Sequence, residues 1–90
     1  MLYRILTEDK QPDLVDALVQ QYLEGATVSR ARGVWHRQWE NSLIISVSVA
    51  GNDETRLVHD AVLALAAAIK QVNQQEAVLV QTFACESLLV

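Results

Sequence analysis

Seven residues between positions 30 and 40 hold most of the chemistry this sequence could perform: Arg30, Arg32, Trp35, His36, Arg37, Trp39 and Glu40. Guanidinium forks match carboxylate and phosphate oxygens two at a time, and indole rings stack on flat or cationic groups. Such a set suits a small anionic ligand or the acidic surface of a protein partner. His36, beside Trp35 and near Glu40, is also an imidazole that a carboxylate could tune into a general base. Against these stands a purely structural reading. In it Trp35 is core, Trp39 half covers a hairpin end, and the arginines pair with acids on the helices or on a neighbouring subunit.

Other chemistry is sparse. His59 adjoins an apolar helical stripe next to Asp60 and reads as a solvated or partly covered histidine. Ser42, Ser46 and Ser48 alternate along one strand face with no partner base, which suits a hydroxyl ladder or a subunit contact. Cys85 lies in an apolar setting beside Glu86 and reads as a small buried hydrophobe. The chain has no Gly-rich phosphate loop, no nucleophile elbow and no His or Cys spacing suited to a metal. No catalytic residue, metal or cofactor is therefore assigned.

Charge separates along the chain. Residues 26 to 39 carry three arginines and no acid, while the remainder has eleven acids against four bases. The net charge of −4 works against nucleic acid as a partner, because the long-range field repels phosphate. A single cysteine excludes an internal disulfide scaffold and fits a reducing compartment. The opening residues do not read as an export signal, and no uncharged run approaches the roughly 18 residues of a membrane span. The expected location is the cytoplasm.

The elements that must position these residues follow from periodicity. At 90 residues and 51% apolar, the chain fits one small domain over residues 1 to 90. Alternation at Leu2 to Thr7 predicts a strand. Pro12 suits the first turn of a helix over about 12 to 24, with Gly25 as a left-handed cap. From Ala26 to Trp39 the composition is β-type. Ala31, Gly33 and Trp35 have one parity and Val28 the other, so burying all four on one side predicts a bulge near Ser29 or Arg30. A turn is expected around Gln38 to Asn41. Leu43, Ile45, Val47 and Val49 then mark the clearest strand. Gly51, Asn52 and Asp53 suggest a turn and helix cap, ahead of a helix from Glu54 to about Asn73. A last strand at Ala77 to Phe83 and an apolar tail through Leu88, Leu89 and Val90 complete the chain.

This order predicts an α+β fold, the ferredoxin-like β-α-β-β-α-β sandwich, with a four-stranded antiparallel sheet and two helices on one face. Two helices cover only one face. Leu2 and Leu6 oppose Tyr3 and Ile5 in parity, and the last strand is likewise apolar on both sides. A homo-oligomer, dimer or trimer, is expected to cover the open face.

The series Gly25-x-Thr27-Val28, Ala31-x-Gly33-x-Trp35, Glu40-x-Ser42-Leu43 and Gln75-x-Ala77-Val78-Leu79 resembles the signature of a family of small uncharacterised bacterial proteins. The resemblance spans about residues 22 to 80 and implies no activity. In architecture the chain also looks like PII-like and CutA-like trimers, although it has no PII nucleotide-binding motif. Physically, Gly33 would admit a close neighbour over its strand, Glu40 and Ser42 could satisfy backbone donors, and Gln75 could cap the second helix. Alternatively Trp35, Glu40 and Gln75 converge at one end of the sheet as a polar-aromatic site.

The sequence thus leads to a non-enzymatic cytoplasmic binding or accessory protein, homo-oligomeric, using the Arg/Trp hairpin for a small anion or a protein partner. One alternative is a small cofactor-independent enzyme with His36 as base. It resembles the dimeric α+β barrels that use Trp, His and Asn in a pocket, as Trp35, His36 and Asn41 could. A phage or mobile-element inhibitor of a host protein is the other.

Overall fold

Tyr3, Ile5 and Thr7 are buried while Arg4 between them is exposed. That alternation puts one face of the first strand against helices and leaves the other open. The computed structural model describes residues 1–49, 55–88 and 90. Its elements are β1 (Leu2–Glu8), α1 (Pro12–Tyr22), β2 (Thr27–Trp35), β3 (Gln38–Ser48), α2 (Thr55–Asn73) and β4 (Leu79–Phe83). The strand order is β2-β3-β1-β4 with every pairing antiparallel, which is the ferredoxin-like arrangement. The expected turn and cap at Gly51, Asn52 and Asp53, the Glu54 helix start and Leu89 lie outside the described residues.

The core lies between the helix-side face of the sheet and the two helices. Tyr3, Ile5, Leu43, Ile45 and Val47 meet Val15 of α1 and Val62, Leu65 and Ile69 of α2. These α2 residues recur at helical spacing, so one stripe of the helix is buried. Asn73 continues the stripe as its one polar member, 3% exposed.

Pro12 opens α1, where its missing N–H is no loss, and Asp13 lies in the first turn near the positive end of the dipole. The helix ends on Leu23 in an extended conformation, with the Leu23 N–H bonded to Val19 O. Gly25 is therefore not the expected left-handed cap. That role appears instead after α2. There Gln74 has φ 53°, its N–H reaches Gln71 O at 3.2 Å, and the Gln75 N–H reaches Lys70 O at 3.0 Å. This pair of bonds is a Schellman motif with glutamine at the position glycine usually fills. Gln75 does cap the helix, but through its backbone.

The largest correction concerns β2. It pairs with β3 without interruption from Thr27↔Ser46 to Trp35↔Gln38, so the expected bulge is absent. Burying Ala31, Gly33, Trp35 and Val28 together is unnecessary, because both faces of this sheet are partly apolar. Val28 lies on the helix side and Trp35 on the open side, 53% exposed, so Trp35 is not core. The turn is at His36 and Arg37, with φ 50° and 65°, two residues earlier than expected. Positive φ at both central residues is the two-residue hairpin geometry that Asn-Gly commonly supplies. β4 likewise begins at Leu79 and not at Ala77. Gly33 does admit a close neighbour: a Cβ there would sit 3.1 Å from Ser42 Oγ.

On the open face, the register groups Leu2 and Leu6 with Ile44, Leu79 and Phe83. Leu79 and Phe83 are 54% and 40% exposed. Arg4 lies over the Phe83 ring at 5.4 Å. Among the described residues, no helix is long and apolar enough to cross a membrane.

Candidate functional site

Polar groups concentrate at the end of the sheet where β1 and α2 both finish. Thr7 shares the buried parity of Tyr3 and Ile5, so its hydroxyl points under the last turn of α2. It donates to Gln75 Oε1 and accepts from Asn73 Nδ2 at 3.3 Å. The Asn73 amide also reaches Gln75 Oε1 at 2.7 Å and Glu8 O at 3.1 Å. Lys10 Nζ donates to Asn73 O at 3.3 Å, and Gln11 Nε2 to Val72 O at 2.8 Å. These two bonds satisfy carbonyls that the end of α2 leaves free, and the Lys10 charge favours the negative end of its dipole.

Among the described residues, two oxygens at this end are buried without a donor: Asp9 Oδ1 and Asn73 Oδ1. Buried polar atoms are nearly always paired, so two together single out the spot. Asp9 is tied to β3 by its N–H, 2.9 Å from Asn41 O, and its Oδ2 lies 3.8 Å from Arg30 Nη1. Lys10 pairs with Glu8 at 3.0 Å. Backbone strain collects here too. Among the described residues, the non-glycine residues of positive φ are His36, Arg37 and Gln74, and all three lie toward this end. Conformations of that kind cluster at functional sites.

The hairpin rises from the same end. β3 extends past its last β1 partner, Ser42, and with β2 forms a free two-stranded ribbon. The register projects Arg30, Arg32, Val34 and Trp39 from one side and Trp35 and Glu40 from the other. Arg32 stacks over the Trp39 ring at 4.7 Å, and Trp35 meets His36 edge to face at 5.0 Å. Arg37 forms the turn. The seven expected residues are thus divided between two surfaces. His36 is exposed at the tip and lines no described cavity. Neither Glu40 nor Ser42 makes a side-chain hydrogen bond among the described residues, so their expected service to backbone donors is not seen.

A groove of about 1030 Å³ opens at the opposite end of the sheet, walled by Tyr22, Glu24, Thr27, Ser46, Ser48 and Leu57 among others. Its volume would admit a nucleoside. It is wide open, however, and no hydrogen bond joins the side chains of those six residues. The polar end, with its network, its unpartnered oxygens and its strain, is the stronger candidate.

Sequence reasoning missed Thr7, Asp9 and Asn73, although a signal for two of them exists. Thr7 and Asn73 are polar residues at core positions of an otherwise apolar strand face and helix stripe. Gln75 stood out in the signature, and it does reach this network.

No protein-family model and no curated protein matches the chain. Solved structures do. A phage SAM lyase in complex with S-methyl-5'-thioadenosine is 23% identical, with a TM-score of 0.67, covering 88% of this chain and 76% of its own. A phage SAM lyase in the apo state has the same identity and TM-score, covering 88% and 75%. At that identity the likeness carries the fold. The expectation of a non-enzymatic binding or accessory module is nonetheless overturned, because the fold these residues build is matched over most of its length by an enzyme.

Proposed function

We propose that this chain is an enzyme of the SAM-lyase kind, which breaks S-adenosylmethionine at its sulfonium and releases S-methyl-5'-thioadenosine. The observation that carries this reading is the match of fold over 88% of the chain to a SAM lyase in complex with that nucleoside. For that product to form, the bond between sulfur and the γ-carbon of the methionyl chain breaks, and its electron pair goes to sulfur, which becomes a neutral thioether. The four-carbon fragment resolves without water in one of two ways. It loses a β-proton to a base, or its own carboxylate closes on the γ-carbon.

The reaction is assigned to the polar end of the sheet. One residue of the signature supports that placement: Gln75 bonds Thr7 there, on the helix side, while Gly33, Glu40 and Ser42 lie on the open face of the neighbouring β2–β3 ribbon. Glu8, Asp9 and Glu40 place carboxylates on both faces of that end, which suits a cationic substrate; among the described residues, the walls of the groove hold Glu24. In this reading the chain works in the cytoplasm as a homo-oligomer, a second copy covering Leu2, Leu6, Ile44, Leu79 and Phe83.

Supplying S-adenosylmethionine labelled in its methyl group tests the reaction. The label should appear in S-methyl-5'-thioadenosine. Label left wholly in the starting compound, or passed to another acceptor, overturns the proposal.

A further inference from the structure

S-Adenosylmethionine presents two unlike ends, and the amino-acid end is a zwitterion. An α-ammonium calls for a carboxylate acceptor, and an α-carboxylate calls for a guanidinium fork. Asp9 and Arg30 are such a pair, left incomplete.

Asp9 directly follows β1 and is fixed by its backbone bond to Asn41. Its side chain is 11% exposed, yet Oδ1 is buried and meets no donor among the described residues. A carboxylate oxygen withdrawn from water without a partner is costly, and in a native protein such an atom wants an explanation. Arg30 leaves the hairpin toward it, but at 3.8 Å its guanidinium is too far for a hydrogen bond. The Arg30 side chain is 77% exposed, and this long contact is its one ion pair among the described residues. Most of its N–H groups are thus free for another anion. The register puts Arg30 opposite Leu43, on the helix side of the sheet, which is also the side of Thr7 and Asn73. Asn73 Oδ1, the second buried oxygen without a donor, belongs to the same polar end.

We infer that Asp9 and Arg30 together recognise the α-amino-acid end of the substrate, Asp9 accepting from the α-ammonium and Arg30 forking onto the α-carboxylate. This rests on the SAM-cleaving reading above. The exposed guanidinium swings from Asp9 Oδ2 to the ligand carboxylate, and the α-ammonium takes its place beside Oδ2. The nucleoside end makes no use of the pair. S-Methyl-5'-thioadenosine, which lacks the amino acid, therefore binds independently of it and can leave.

Two non-reacting probes separate the ends: S-adenosylhomocysteine carries the amino acid, and S-methyl-5'-thioadenosine does not. Calorimetry on wild type, Arg30→Gln and Asp9→Asn should show S-adenosylhomocysteine weakened about tenfold or more in each variant, the scale of one lost charge-assisted hydrogen bond. Affinity for S-methyl-5'-thioadenosine should stay within about twofold. Arg30→Gln changes an exposed side chain and keeps the fold, so it decides the matter if Asp9→Asn is unstable. Unchanged S-adenosylhomocysteine affinity in Arg30→Gln, or an equal loss for both probes, overturns the inference while wild-type turnover leaves the lyase reading standing. Absence of wild-type turnover overturns the lyase reading itself.

Discussion

Asn73, in the last turn of α2, reaches back to Thr7 of β1, its Nδ2 3.3 Å from the Thr7 hydroxyl, which in turn donates to Gln75. One side chain thereby joins the end of a helix, the end of a strand and the segment leading into β4. The bond is almost wholly buried, with Asn73 3% and Thr7 4% exposed. In so dry a setting, removing one partner costs more than the bond itself contributes, because the others are left without a donor or acceptor.

Thr7→Val keeps the shape of the side chain and removes the hydroxyl. It should lower stability by about 1–3 kcal/mol, read from the denaturant midpoint at unchanged m-value. In a double-mutant cycle, Thr7→Val and Asn73→Leu should couple by about 0.5–3 kcal/mol. Additive effects would mean that the two side chains do not act as a unit.

Backbone strain at the same end makes a prediction of opposite sign. Gln74 occupies the left-handed position of the Schellman motif with φ 53°. Gln74→Gly should raise stability by roughly 1 kcal/mol, while Gln74→Val should lower it. Asn and Gly in place of His36 and Arg37 should likewise stabilise the hairpin turn. A fall in melting temperature with Gln74→Gly would mean that the glutamine side chain makes a contact worth more than the strain.

The open face of the sheet leads to a third expectation. Leu79 and Phe83 stand exposed beside Leu2, Leu6 and Ile44, on an apolar surface two helices cannot reach. Light scattering should give wild type a mass two or three times the 10.0 kDa of the chain. Leu79→Lys with Phe83→Lys should return it to a single chain. A 10.0 kDa species for wild type at micromolar concentration would show that this face stays wet.

Much of the fold was legible because its strongest patterns are long and regular. Leu43 to Val49 alternate without a break, and Val58 to Val72 keep helical spacing through four turns, so element order and sheet type follow. The hairpin was misplaced for a physical reason. His36 and Arg37 adopt positive φ without the Asn or Gly that would advertise it, and an apolar open face removed the need for a bulge. The polar end was harder to see. Asp9 reads as the charge that stops a strand, and Thr7 and Asn73 are single polar positions within apolar patterns. Their meeting depends on two chain ends about 65 residues apart coming together, which periodicity does not encode.

Incubation of the purified chain with S-adenosylmethionine, followed by chromatography of the nucleosides, tests the central claim most directly. The account predicts S-methyl-5'-thioadenosine accumulating in proportion to time and enzyme. Undiminished S-adenosylmethionine, with no S-methyl-5'-thioadenosine above the no-enzyme control, would contradict it.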